Sequence, residues 1–350
     1  RARRTFAALA EAWSELVPED QQATFRHGGY FARDVTSRLT ALSLNTMYWY
    51  RANAKVGGCR AEDSPGLAQL AWLRFQVNRA RRRDRGLLIL GHVAPSIDNY
   101  RPSCLRAYAR TVGQAVPPPL TSTGSSPSVV PIIAQLFGHS NINSWAFIAP
   151  TTENDESAED QRLWWERQVD DEEGRFGTLI RTLWTSNSTA TSAILANLDD
   201  RDWESMEDDV ADGHTTVPGD FVDNLLRDYE QILMQSPLPS HMGVTIISPS
   251  IVPKLLPAFR VFHYLNSPSP LWSHLPAGTL LDYDVYTANL YAHNAGAPRN
   301  VADFFQRLYR FSDAYAINDL SLESYVKWAR KLLTSRALRK RFRALTFLDT

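Results

Sequence analysis

The sequence predicts an α/β protein, and two observations carry that reading. Between residues 39 and 92 a strand, a helix and a strand follow one another, the succession that builds α/β folds. Two short apolar runs, residues 87–90 and 132–137, each end in a Gly-His dipeptide: Gly91-His92 and Gly138-His139. Runs of this length read as buried strands. The rim beyond strand ends is where α/β sheets place ligands and metals.

Each element has its own signal. Residues 5–16 set Phe6, Leu9, Trp13 and Leu16 on one helical face. Gly28-Gly29 marks a turn, and residues 39–45 alternate as a strand. Pro65 suits the first turn of a helix carrying Leu67, Leu70, Leu73 and Val77. That helix ends in Arg79, Arg81, Arg82, Arg83 and Arg85. These arginines suit either a polyanion or, more simply, a solvated helix end whose dipole favours cations.

Residues 116–128, with Pro117-Pro118-Pro119, read as a loop. Trp145-Ala146-Phe147-Ile148 reads as a strand making a hairpin around the second Gly-His. Three parts follow from composition: 1–150, an acidic insertion at 151–243, and 244–350. The insertion holds Glu153, Asp155, Glu156, Glu159, Asp160 and later Glu207, Asp208 and Asp209. It reads as partly helical around Trp164-Trp165 and partly disordered. Gly219-Asp220-Phe221-Val222-Asp223 imitates a carboxylate ligand motif but reads as a helix opening with an Asp cap. Strands are expected at 244–247, 258–265 and 280–286, and helices around 301–308 and 322–333.

With 350 residues and 44% hydrophobic composition, the chain can bury a sizeable core. A net charge of -1 gives no global field for nucleic acid or an anionic membrane. No apolar run is long enough to span a bilayer. The chain opens on Arg1-Ala2-Arg3-Arg4 with no initiator Met, so the expectation is a start inside a longer protein. Cys59 and Cys104 form either one disulfide or two free thiols. Asn187-Ser188-Thr189 is a glycosylation sequon, which with a disulfide leans toward a lumenal compartment.

Two histidines in matched strand-end contexts point to one site. Neutral imidazole is a common ligand of divalent metals, but two imidazoles do not complete a coordination sphere. His27 beside Gly28-Gly29 reads as a turn histidine, and His241, His263, His274 and His293 show no ligand spacing.

An ordered set of segments resembles one family. It comprises Gly28-Gly29-Tyr30-Phe31, then Leu42-Ser43-Leu44-Asn45-Thr46-Met47-Tyr48, Gly91-His92-Val93-Ala94-Pro95 and Phe137-Gly138-His139-Ser140-Asn141. Ser248-Pro249-Ser250-Ile251-Val252-Pro253, Phe259-Arg260-Val261-Phe262 and Leu281-Asp282-Tyr283 follow. The set is similar to fungal endopolyphosphatases, calcineurin-like metallophosphoesterases of the branch related to acid sphingomyelinase. The resemblance implies a β-sandwich flanked by helices, here with its N-terminal strands missing, and a centre of two divalent metal ions.

By the same resemblance, His92 and His139 bind one metal. Asn141 stands where the wider superfamily carries a third histidine, and it is a weaker ligand. Cys59 and Cys104 match a bridge of that branch. The resemblance further implies inorganic polyphosphate as substrate, no nucleic-acid partner, and a vacuolar lumen location. Any membrane anchor lies outside this chain. The family's Asp-x-His and Gly-Asn motifs do not precede His92, so the catalytic residue is expected upstream of Arg1 and the isolated chain is expected to be inactive. A sphingomyelinase-like phosphodiesterase and a non-catalytic truncated homologue are the competing readings.

Overall fold

A computed structural model describes residues 2–61, 63–113, 132–149, 218–239, 242–252, 256–267, 270–272, 275, 278–296 and 304–348. Asn187, Trp164-Trp165, the acidic clusters, the loop around Pro117-Pro118-Pro119, His241 and His274 lie outside the described residues. Among the described residues, six strands form one sheet and three form another.

The first sheet runs β1 (Phe31–Asp34), β2 (Leu39–Ser43), β3 (Gly86–Val93), β4 (Ile132–Gly138), β6 (Gly243–Ile247) and β5 (Ser144–Ile148). Its four inner strands β2, β3, β4 and β6 are mutually parallel, and the edge strands β1 and β5 are antiparallel to their neighbours. The second sheet is antiparallel throughout: β7 (Ala258–Tyr264), β8 (Leu280–Thr287) and β9 (Gln306–Arg310). The fold is thus mixed α/β with two sheets and flanking helices, consistent with the sandwich that the resemblance implies.

The helices are α1 (Ala2–Ala12), α2 (Gln22–Gly28), α3 (Pro65–Arg82), α4 (Pro102–Gly113) and α5 (Pro218–Leu233), then α6 (Leu290–Asn294), α7 (Phe311–Tyr315), α8 (Leu322–Thr334) and α9 (Arg336–Thr346). Among the described residues, no helix is long and apolar enough to cross a membrane. The predicted strand–helix–strand unit is β2–α3–β3. Pro65 occupies the first turn of α3, and the Ser64 hydroxyl accepts from the Leu67 amide at 3.3 Å. This N-cap satisfies one of the helix's orphan donors.

Period-two alternation divides the first sheet's side chains between two cores. Leu42, Leu87, Ile89 and Phe137 join Leu70, Leu73, Tyr108 and Val112 of α3 and α4 on one face. Leu88, Leu136, Trp145 and Ile246 join the second sheet and helices α5, α8 and α9 on the other. Trp145 centres this second core, stacked on Tyr229 at 4.3 Å and close to Tyr325 and Trp328. The Tyr229 hydroxyl donates to the Trp145 carbonyl at 2.6 Å. The C-terminal end of the stretch read as an acidic insertion therefore supplies a packed helix, α5. That helix begins at Pro218, which puts Asp220 inside its first turn.

Two expectations are corrected. β4 and β5 do not form a hairpin, because β6 lies between them and pairs with both. Ser248 donates its amide to the Phe137 carbonyl, so the outer edge of β4 is occupied by a partner far along the chain. The helix expected around 301–308 is also replaced. Residues 306–310 are β9, paired with β8, while 301–303 lie outside the described residues. Ion pairing accounts for that strand. Arg310 grips the buried Asp284 of β8 with Nε at 2.8 Å and Nη2 at 3.0 Å, and His263 of β7 reaches the same carboxylate at 2.8 Å. One carboxylate thus ties three strands together.

The single disulfide among the described residues joins Cys59 to Cys104, both buried, with Cα atoms 4.9 Å apart. It fastens the 49–61 loop to the start of α4. Closing a loop of 45 residues' separation is worth about 4 kcal/mol in chain entropy.

Two expected outcomes follow. Cys59→Ser with Cys104→Ser should lower stability by about 4 kcal/mol in urea unfolding, and unchanged stability would show that the bridge is dispensable. The hydrogen bonds from Arg310, and then that from His263, hold the Asp284 carboxyl down to about 2 despite its burial. A depressed carboxyl stabilises the fold above its unfolded value of about 3.9, and that stability is lost as pH falls through the folded value. Asp284→Asn should therefore lower the Tm at pH 7, with the gap to the parent closing between about pH 4 and pH 2. A constant gap across that range would contradict this assignment.

Candidate metal centre

β3 and β4 lie side by side and parallel, so both carboxyl ends reach the same rim of the sheet. Leu90 faces Leu136 and Val93 faces Gly138, which leaves Gly91 and His92 opposite Phe137 alone. One surplus residue makes a bulge, a device that re-aims side chains next to sites. His92 is therefore the next-to-last residue of β3 rather than a residue beyond it. Gly91 is required at this bulge. A Cβ there would stand 2.6 Å from the Phe137 ring and 2.7 Å from Thr46. Past the bulge, Val93 is pinned on both sides: its amide donates to Thr46 Oγ1 at 2.9 Å and its carbonyl accepts from the Tyr100 hydroxyl at 2.8 Å.

His139 is the first residue beyond β4 and has φ +73°. The Ser140 amide donates to the Gly138 carbonyl at 2.9 Å, closing a three-residue turn on His139. Such a turn with positive φ is uncommon and costly, and strained backbone of this kind clusters at functional sites. Asn141, at φ +57°, repeats the left-handed conformation two residues later. Histidine and asparagine are among the residues that tolerate it. The two Gly-His dipeptides are not equivalent, because a Cβ on Gly138 would meet nothing closer than 3.8 Å, at His92.

The bulge and the turn bring the two imidazoles together. Their ring centroids are 5.2 Å apart and their planes nearly perpendicular. Tyr50 packs its ring edge-on against His139, with centroids 5.0 Å apart. Tyr50 is itself fixed by a bridge to Tyr100, flanked by the amide of Arg51 donating to Asn99 and that of Arg101 donating to Trp49. The Cys59–Cys104 disulfide clamps these two segments nearby. Burial, and then the neighbouring His92, lower the pKa of His139. A lowered pKa favours neutral imidazole, the form that binds metals.

The donor set fits part of a metal site. A centroid separation of 5.2 Å accommodates two imidazoles on one ion, each with a nitrogen about 2.0–2.1 Å from it. No third His, Cys, Asp or Glu gathers with them among the described residues. Asn141 stands two residues from His139 and is half-exposed. Asn143 has another role, one that sequence reading missed. Its Oδ1 accepts from Arg260 Nη2 at 2.6 Å, and its Nδ2 donates to the Tyr309 hydroxyl at 2.7 Å and the Leu345 carbonyl at 2.8 Å. The loop leaving His139 is thereby clamped to the second sheet and to α9.

The other candidate residues stand elsewhere. Arg85 pairs with Asp34 at 3.1 Å and donates to the carbonyls of Ser37 and Leu39, and Arg38 pairs with Asp84. These arginines tie the start of β3 to the β1–β2 turn. His27 lies in the last turn of α2. His263, unassigned by spacing, belongs to the Asp284 cluster, which only tertiary structure reveals.

No protein-family model matches the chain. It is 27% identical over 263 residues to an endopolyphosphatase of Yarrowia lipolytica, an alignment covering 73% of the chain and 30% of that protein. An endopolyphosphatase of Cryptococcus neoformans is 33% identical over 138 residues, covering 39% of the chain and 18% of the relative. One of Schizosaccharomyces pombe is 30% identical over 143 residues, covering 40% and 22%. The chain thus spans less than a third of the length of each of these relatives. Over that span, the chain that sets His92 and His139 side by side is similar to the fungal endopolyphosphatases.

Proposed function

We propose that this chain forms part of a metal-dependent endopolyphosphatase, a hydrolase cutting internal phosphoanhydride bonds of inorganic polyphosphate. The observation that carries this reading is the convergence of His92 and His139 at the carboxyl rim of two parallel strands. The chain's similarity to proteins named endopolyphosphatase supports the reaction class.

In this reading His92 and His139 hold one divalent ion through neutral ring nitrogens, and Asn141 offers a weaker amide oxygen to a second ion. Divalent ions supply the positive charge that polarises a phosphoryl group and activates water. The residues of this chain orient the site. The bulge at Gly91 aims His92, the left-handed turn aims His139, and Tyr50 keeps the His139 ring from swinging away. The remaining ligands come from polypeptide carrying the Asp-x-His and Gly-Asn motifs, which this stretch does not contain ahead of His92. The reading places the protein in the vacuole lumen, with Asn187 glycosylated and polyphosphate as its partner.

The test is metal binding and polyphosphate cleavage by a chain extended to include those motifs. His92→Ala and His139→Ala should each reduce kcat roughly 100-fold or more, since even outer partners of metal ligands are worth 10–100-fold. Metal content by mass spectrometry should fall in step. The chain of residues 1–350 alone should shorten long polyphosphate far more slowly on a gel. Full cleavage by His92→Ala enzyme would overturn the assignment.

A further inference from the structure

The net charge of -1 conceals an uneven distribution. Residues 327–343 hold eight Lys or Arg and no Asp or Glu. They span most of α8 and α9, a helical pair joined through Ser335. The apolar side of α9 is spent on the second core: Phe342 is buried, and Leu338 and Leu345 pack beside it. At 100° per residue, Arg336, Arg339, Lys340 and Arg343 share the opposite face.

Three of the eight cations have structural partners around this face. Arg339 donates to the Leu332 and Leu333 carbonyls, Arg341 to the Ala314 carbonyl, and Arg343 pairs with Asp223 at 2.7 Å. Lys327 pairs with Glu323 within α8. Arg330, Lys331, Arg336 and Lys340 are exposed and have no carboxylate partner among the described residues.

Helix stability does not account for this arrangement. Arg330 and Lys331 suit the carboxyl end of α8, but Arg336 is the first residue of α9, where the dipole repels a cation. Arg336 and Lys340 are four apart, as are Arg339 and Arg343, and like charges at that spacing destabilise a helix. No acidic residue occupies the first turn of α9 to offset them. Local choices that oppose their own element mark function.

The patch is also physically joined to the metal-centre loop. Leu345, in the last turns of α9, accepts from Asn143, four residues beyond His139. From Arg336 to Leu345 the helix spans about 13 Å at 1.5 Å per residue.

We propose that the exposed cations of α8 and α9 form a docking surface for a linear polyanion, the length of a polyphosphate chain lying outside the cleavage site. The inference rests on the reading of polyphosphate as substrate. An endo-acting enzyme works on a chain extending away from the reacting bond on both sides. Cations that have no carboxylate partner among the described residues, on helices tied to the 139–143 loop, would hold such a chain by releasing its counterions, with no demand on sequence or shape.

The experiment measures binding of long-chain sodium polyphosphate to the chain of residues 1–350 across a salt series, with Arg336→Gln plus Lys340→Gln and Arg330→Gln plus Lys331→Gln as variants. Both pairs are exposed, so circular dichroism should match the parent. Each pair should weaken long-chain affinity roughly 10- to 30-fold at 0.1 M salt and flatten the log–log salt slope by about 1.4, as for two contacts on a single-stranded polyanion. Parent-like affinity and slope in both variants would overturn the docking surface. So would retained polyphosphate binding with lost binding to phosphatidylserine vesicles, which would assign the patch to a membrane instead. Failure of the metal-centre reading shows separately, as full cleavage by the extended His92→Ala enzyme, whatever the patch variants do.

Discussion

The parallel pairing of β3 and β4, with one residue too many on β3, is the constraint on which the site depends. A perfect ladder would alternate Gly91 and His92 regularly between the two faces of the sheet. The surplus residue breaks that alternation at the strand end, where the two cores no longer dictate which way a side chain points. The bulge is stable because Gly91 leaves room for Phe137 and Thr46, and because Thr46 and Tyr100 satisfy the Val93 amide and carbonyl. On β4 the solution is different. The strand ends cleanly, and backbone in the left-handed region turns His139 back toward its neighbour. Two unlike backbone devices thus produce one pair of imidazoles.

Much of this was legible in the chain. The unit β2–α3–β3 announces itself through alternation, a capping serine and a proline in the first helical turn, all local signals. Both histidines were found at strand ends because glycine after an apolar run is a local signal too. The pairing of β4 was not legible. Two apolar runs separated by a polar turn look like a hairpin, and the partner that prevents it, β6, lies more than a hundred residues away: Phe137 faces Ile247. Nothing in a window of ten residues distinguishes those outcomes. β9 is hidden because residues 301–308 read as a helix, and nothing local reveals the Asp284 that meets Arg310. The sequence reading ends at the helix expected over 322–333 and does not include helix α9, Arg336–Thr346.

The two Gly-His dipeptides show how far pattern matching reaches. They are identical as text and stand in matched strand-end contexts. Gly91 is demanded by packing, whereas the space at Gly138 would admit a methyl group. The shared chemistry lies in the histidines and in the rim they occupy, and the glycines answer separate local needs. Asn141 and Asn143 divide similarly. Both belong to one short polar stretch, yet Asn143 is consumed by four hydrogen-bond contacts to Arg260, Tyr309 and Leu345, while Asn141 keeps its amide half-exposed in a left-handed turn.

Asn143 also explains why the second sheet matters to a site it does not supply with ligands. The turn on His139 is costly backbone, and costly backbone persists only when its surroundings over-determine it. Here the surroundings are Arg260 of β7, Tyr309 of β9 and the end of α9, all converging on one side-chain amide. Those strands are held to one another by Asp284, Arg310 and His263. Loosening that cluster would release the far end of the 139–143 loop and relax His139 toward ordinary backbone, away from His92. The antiparallel sheet is thus the buttress of a site built at the rim of the parallel one. The charged cluster, which looks peripheral in the sequence, stands at the far end of the chain of contacts that anchors the 139–143 loop.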